Sequence, residues 1–251
     1  MMPFLLQAQH LIHQFTNGTK ALNGVNWEIT AGEFIVLSGS NGSGKTVLVR
    51  HFNGLLRPTS GQVLLNGISV QKQLQHARQT IGMVFQDAAS QIVAQTVYDE
   101  VAFGPENLRL SQEEIDKRVK ESLVNVGLTN LENHHPYELS GGQQRRLAIA
   151  GVLAMQPLMI IFDEPFNGLD YEGVVQTLQQ IVQLHQNGHT ILVITHDLEK
   201  VLAHATRLCI MQQGKICLDG SPAEILPKVE DHGVKRPSPA QRLIETMTWL
   251  R

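Results

Sequence analysis

The sequence predicts an α/β protein, a sheet with helices on its faces, and three features carry that reading. Short apolar, strand-like runs alternate with helical patterns over most of the chain. A glycine-rich octapeptide stands directly between one such run and a helix. From residue 86 to residue 155 the pattern turns helical, as an insertion into the α/β core would.

Taken in order, residues 4–29 carry alternating patches suited to a small antiparallel sheet. Phe34–Ser38 is an apolar run, and Val47, Leu48 and Phe52 place a helix after the glycine-rich segment, stopped at Asn53-Gly54. Arg57-Pro58-Thr59-Ser60-Gly61 reads as a turn, followed by a strand at 62–65. Further strands are expected at 81–85, 158–162, 190–194 and 207–211. In the helical stretch, Ser111 and Glu114 form a capping-box pattern before Ile115, Val119, Leu123 and Val126, which share one face; Gly127 follows its end. Glu113 with Lys117 and Glu114 with Arg118 are spaced to pair on the solvated side. The tail from Ser221 is polar and proline-rich as far as Ser238-Pro239-Ala240-Gln241, a second capping pattern. Leu243, Ile244, Met247 and Leu250 would give a last helix an apolar face, to lie in a dimer interface or to pack on its own domain. The expected division is 1–86 (β part and first portion of the core), 87–157 (helical subdomain), 158–220 (second portion of the core) and 221–251 (tail).

Composition narrows the function. The 251 residues are 42% hydrophobic and 17% charged with a formal net charge of -3, which offers no electrostatic case for nucleic acid as a partner. Cys209 and Cys217 fit neither a CxxC nor a zinc pattern and read as buried thiols. The apolar run 158–162 ends at Asp163, far short of the ~20 residues a spanning helix needs, and the N-terminus lacks a basic leader. The expectation is a soluble cytoplasmic protein.

Gly39-Ser40-Asn41-Gly42-Ser43-Gly44-Lys45-Thr46 matches G-x-x-x-x-G-K-[ST]. Glycines let such a backbone curl until its N–H groups converge on phosphate oxygens, and the helix start adds partial positive charge. Lys45 would reach the β- and γ-phosphates of ATP, and Thr46 would offer its hydroxyl oxygen to Mg²⁺. The strand at 158–162 runs into Asp163-Glu164, and two adjacent carboxylates at the end of a buried strand are costly unless a cation or ligand uses them. Asp163 suits the Mg²⁺-holding acid and Glu164 a base or polariser for attacking water.

Leu139-Ser140-Gly141-Gly142-Gln143 reads by itself as a helix start capped by Ser140, and such a start is a second anion-binding terminus. Between the phosphate loop and the acidic strand it resembles the signature of ABC ATPases. The rest of the set falls in order: Gln86 resembles the Q-loop, Gly168-Leu169-Asp170 the D-loop and His196 the switch histidine, while Phe15 sits where the family stacks a ring on adenine. The resemblance covers residues 4–220 and implies a P-loop NTPase (RecA-like) core with a small N-terminal antiparallel β part and an inserted α-helical subdomain. Gln86-Asp87, Gln91, Thr96-Val97, 99–108 (DEVAFGPENL), Asn53-Gly54-Leu55 and 151–155 (GVLAM) further resemble the ATPases of energy-coupling factor (ECF) transporters, importers of cobalt, nickel and vitamins. Residues around the Q-loop would then form the groove for a membrane partner.

That resemblance implies head-to-tail pairing with a second ATPase subunit, identical or a paralogue. ATP on Lys45 and Thr46 of one copy is completed by Ser140, Gly141, Gly142, Gln143 and Asp170 of the other. Thr46, Gln86 and Asp163 arrange Mg²⁺, and Glu164 with His196 positions water. It further implies membrane-embedded coupling and substrate-binding subunits and a place on the cytoplasmic face of the membrane. A non-transport ABC ATPase of a soluble assembly complex is the alternative. A DNA-maintenance or translation ATPase is disfavoured, since there is no long coiled-coil insertion and no second phosphate loop. Phe166 and Asn167 depart from the family's usual Thr and small residue, and Asp87-Ala88-Ala89 from its Asn-Pro-Asp. His134-His135 precedes Pro136 without a third ligand in view, which argues against a metal site, and Arg145 and Arg146 read as a solvated helix face.

Overall fold

A computed structural model describes residues 4–237 and 244–250 of the chain. Its ten strands are β1 (Leu6–Gln14), β2 (Lys20–Ile29), β3 (Phe34–Ser38), β4 (Ser60–Leu65), β5 (Ile68–Ser69), β6 (Ile81–Val84), β7 (Met159–Asp163), β8 (Thr190–Ile194), β9 (Arg207–Gln212) and β10 (Lys215–Gly220). Its α-helices are α1 (Lys45–Phe52), α2 (Leu74–Thr80), α3 (Val97–Asn107), α4 (Gln112–Asn125), α5 (Gly141–Leu153), α6 (Tyr171–Gln186), α7 (Leu198–Val201) and α8 (Pro222–Ile225).

Six strands form the main sheet in the order β10-β9-β3-β8-β7-β6, parallel except for β10 against β9. Strands β3, β6, β7 and β8 are buried at every position because both faces of the sheet are covered, which is why their sequences are continuous apolar runs. Alternate residues serve opposite cores. Phe34, Val36, Ile160, Phe162, Ile191 and Val193 face the side covered by α3–α6. Ile35, Leu37, Met159, Ile161, Leu192 and Ile194 face α1 and a second sheet, the antiparallel β2-β1-β4-β5. The small antiparallel part expected at 4–29 is therefore present, and the strand expected at 62–65 completes it as β4.

In α4 the Ser111 hydroxyl accepts from Glu114 N, and the Glu114 carboxylate turns instead to Arg118 at 2.7 Å. Three expectations are corrected. Strand β10 lies where none was expected, its alternating half-exposed pattern being that of a sheet edge, and it leaves Cys217 exposed while Cys209 is buried. The start of the expected last helix, 238–243, lies outside the described residues; over the described 244–250 there is one short 3₁₀ turn, Ile244–Thr246, and no α-helix. The apolar residues there pack on their own chain: Met247 is buried in the core, and the Trp249 ring lies 5.3 Å from that of Tyr171. Among the described residues no helix is long and apolar enough to cross a membrane.

Candidate functional site

The carboxyl ends of β3, β6, β7 and β8 lead directly into the phosphate loop, Gln86, Asp163-Glu164 and His196 at one end of the parallel sheet, where ligands of open α/β sheets bind. The loop after β3 turns directly into α1. Gly44 sits at φ 106° as the N-cap, and no side chain caps the helix, so its first N–H groups are left for a ligand. A β-carbon on Gly39 would collide with the Met211 carbonyl, and one on Gly44 with that of Ala21. Both positions demand glycine in space as well as in angle. The Ser43 hydroxyl is buried without a hydrogen-bond partner.

Lys45 folds back over the loop, donating to the carbonyls of Gly39 (2.7 Å) and Ser40 (3.1 Å). Burial pushes its pKa down, against the opposing pull of Glu164 and Asp163. Asp163, 5% exposed at the end of β7, accepts from the Thr46 hydroxyl at 2.9 and 3.2 Å. Burial raises its pKa, Thr46 lowers it and Glu164 raises it further. Both shifts describe opposite charges held out of water and short of countercharge. An anionic phosphate relieves the first and a cation the second. A hydroxyl and a carboxylate are hard oxygen donors, and among the described residues no group of three or more His, Cys, Asp or Glu side chains could hold a metal by itself. That set fits Mg²⁺, which takes one or two protein oxygens and its remaining ligands from phosphate and water.

Glu164 follows at φ 50°, a left-handed backbone rare outside glycine, with its N–H bonded to the Ile194 carbonyl. This fixes its carboxylate 3.1 Å from His196 Nδ1. A cleft of about 410 Å³ is bounded by Phe15, the loop from Asn41 to Thr46, Gln86, Asp163 and Glu164. Phe15 is 42% exposed there rather than part of the core. Thr19, Lys20, Ala21, Val47 and Ile194, none of them read as a site residue from the sequence, complete its wall.

Ser140, Gly141, Gly142 and Gln143 do not line this cleft; they form the cap and first turn of α5, the first three exposed and Gln143 half-buried. Ser140 caps it in full: its hydroxyl accepts from Gln143 N (3.3 Å) and Gln143 Oε1 from Ser140 N (2.8 Å). Asp170 caps α6 by accepting from Gly173 N at 2.8 Å. His135 and His134 gather no metal cluster; His135 accepts from Tyr137 N and stacks on its ring. The reading of Arg145 as solvated is wrong: it is buried, 8% exposed, with its guanidinium on the backbone carbonyls of Pro165, Gln86 and Asn167. Arg146 is half-buried, with its Nε out of water. Helix α5 is enclosed on nearly every side, and the unbroken apolar run 147–153 was the signal that residues at its start would be enclosed too.

Fold and cleft together define a P-loop nucleotide-binding cassette. The family model for ABC transporters matches residues 22–167. The chain is 44% identical over 230 residues to the energy-coupling factor transporter ATP-binding protein EcfA of Methanocaldococcus jannaschii, covering 90% of this chain and 82% of that one. It is 42% identical to EcfA2 of Clostridium tetani over 90% of this chain and 82% of that protein. Among solved structures, CbiO1 of Clostridium perfringens, part of the ABC transporter complex CbiONQ, superposes with a TM-score of 0.81 at 37% identity, covering 91% of this chain and 93% of that one. A dimeric ATP-binding cassette in a post-hydrolysis state, bound to ADP and phosphate, gives 0.76 at 30% identity, covering 86% and 98%. The chain belongs to the ATP-binding proteins of ABC transporters and, within them, to the energy-coupling factor type. It is an ATPase.

Proposed function

We propose that this ATPase works as a head-to-tail dimer whose two composite sites close on ATP, and that closure drives uptake of a metal ion or vitamin through membrane-embedded partners. The observation that carries the reading is the separation of two half-sites. The phosphate cleft holds Lys45, Thr46, Asp163 and Glu164, while Ser140 to Gln143 stand outside it at the start of α5, with Ser140, Gly141 and Gly142 exposed to a second chain. The relative solved as a dimer with ADP and phosphate bound supports it.

In this scheme Phe15 offers its exposed ring to adenine. The loop N–H groups and the α1 terminus hold the phosphates, and Lys45 leaves its two carbonyls to reach the β- and γ-phosphates. Thr46, Asp163 and Gln86 would hold Mg²⁺, which when bound neutralises charge developing on the phosphates. Glu164 accepts a proton from, or polarises, the attacking water, and His196, in contact with the same carboxylate, holds it toward the γ-phosphate. Gly141, Gly142 and Asp170 belong to the partner-facing half. Residues 87–157 would move as one subdomain. Its Q-loop side leaves Val93 and Phe103, 72% and 56% exposed, for helices of a membrane partner at the cytoplasmic face.

Glu164→Gln tests the chemistry. ATP binding is retained while steady hydrolysis falls about 100-fold or more. A variant hydrolysing near the parent rate removes Glu164 from this role. Co-purification of the chain with membrane proteins tests the transport part, and identifying the substrate-binding subunit would name the cargo.

A further inference from the structure

Arg145 has no part in the scheme above, yet the fold is built around it. A buried guanidinium is expensive to desolvate, and here burial pushes its pKa down with the charge of Asp87 pulling against it. No carboxylate pairs with it among the described residues. Its Nη2 donates to the Gln86 carbonyl (3.2 Å) and the Asn167 carbonyl (3.3 Å), and Nη1 to the carbonyl of Pro165. These three acceptors lie in the segments that carry the chemistry. One is Gln86 itself, the second directly follows Glu164, and the third directly precedes Gly168-Leu169-Asp170.

The donor lies on α5, five positions after Ser140 and inside the first two turns of the helix that presents the partner-facing half-site. A planar fork reaching three carbonyls leaves little freedom between the elements it joins. We infer that Arg145 is a positioning residue that couples the two ATP sites, setting Gln86 and Glu164 of its own cleft according to how its helix α5 is seated on the partner's nucleotide. In a head-to-tail pair, Ser140 of one chain serves one ATP while Gln86 and Glu164 of that chain serve the other. Arg145 is a direct polar link between the two. The inference rests on the composite-site reading.

Two variants separate a positioning role from plain packing. Arg145→Met keeps a stem of similar length and removes every donor; Arg145→Lys keeps the charge but loses the fork. Each is measured for Mg-ATP affinity of the dilute chain, for kcat and KM of hydrolysis, and for its melting midpoint. Arg145→Met is expected to lower kcat about tenfold or more with affinity held within about twofold, and Arg145→Lys to recover part of the rate. An unchanged kcat, or losses of kcat and affinity that merely follow a fall in melting midpoint, overturns the inference. If Arg145→Met does not fold, Arg145→Lys decides alone: lowered kcat at unchanged affinity supports the coupling, and parent kcat overturns it. Ser140→Arg is measured alongside. If it hydrolyses at the parent rate, the two-chain site itself is wrong, whatever the Arg145 variants do.

Discussion

Helix α1 starts at Gly44 with no side-chain cap and its first N–H groups facing a cleft, whereas α5 starts at Ser140 with a complete capping box. The first is anchored by its far end. Leu48, Val49 and Phe52 are buried, and His51, 1% exposed, bonds through Nδ1 to the Val47 carbonyl (2.7 Å) and through Nε2 to His13 Nδ1 (3.1 Å). The carbonyl requires a proton on His51 Nδ1, so Nε2 accepts and His13 donates. His13 in turn meets the Phe15 ring edge-on at 4.8 Å. The second helix holds its own start together and leaves it in solvent. In the proposed scheme the difference teaches how one chain can carry two phosphate-directed helix ends with different duties. One is incomplete until a ligand arrives. The other is complete by itself and available to a neighbour.

The largest effect should come from removing the cation of the incomplete end. Lys45→Ala is expected to lower ATP affinity and hydrolysis about 100-fold or more, with the melting midpoint nearly unchanged, read by nucleotide titration and phosphate release. A comparable loss of affinity in the dilute chain from Ser140→Ala would erase the distinction between the two ends.

The anchor of α1 is the next to break. Burial pushes His51 from 6.5 down to about 4, with His13 lowering it further and the Val47 carbonyl opposing. Between those values the unfolded chain binds a proton that the native chain refuses. The stabilisation is thus full above about pH 6.5 and is lost as pH falls toward 4, by on the order of 3 kcal/mol. Denaturant titrations at neutral and mildly acidic pH should show that slope, and His51→Gln should flatten it. An unaltered slope would mean the acid sensitivity lies elsewhere.

Smallest is the cap. Ser140→Ala should cost about 1 kcal/mol of stability. Hydrolysis should drop further than that, by about tenfold, because the same hydroxyl would serve the partner's nucleotide. Equal small losses in both would leave Ser140 as a cap alone.

Much of this was legible in the chain. The strand before Gly39, the acid pair after 158–162 and the cap at Ser140 are local patterns, and local patterns survive into the fold. Arg145 was misread because its partners stand 20 to 59 positions away in sequence, and the residue type alone favours solvent. The His13–His51 contact spans 38 positions and joins a strand to a helix, a pairing no periodicity announces. Where the tail packs was not legible for a related reason: an apolar stripe gives the need for a partner surface without naming it, and part of that surface is Tyr171 and the 3₁₀ turn at Leu202–His204 of the same chain.

The chain has 2 tryptophans, and the fold gives each a different neighbourhood. Trp27 lies 6.0 Å from Phe52, on the last turn of α1. Trp249 lies beside Tyr171, one position past Asp170, with the Lys200 ammonium 5.0 Å from its ring. Their ultraviolet emission is therefore an unlabelled pair of optical probes, one beside the nucleotide-loop helix and one beside the start of α6, the segment proposed to face the partner. Replacing either indole assigns the signal of the other.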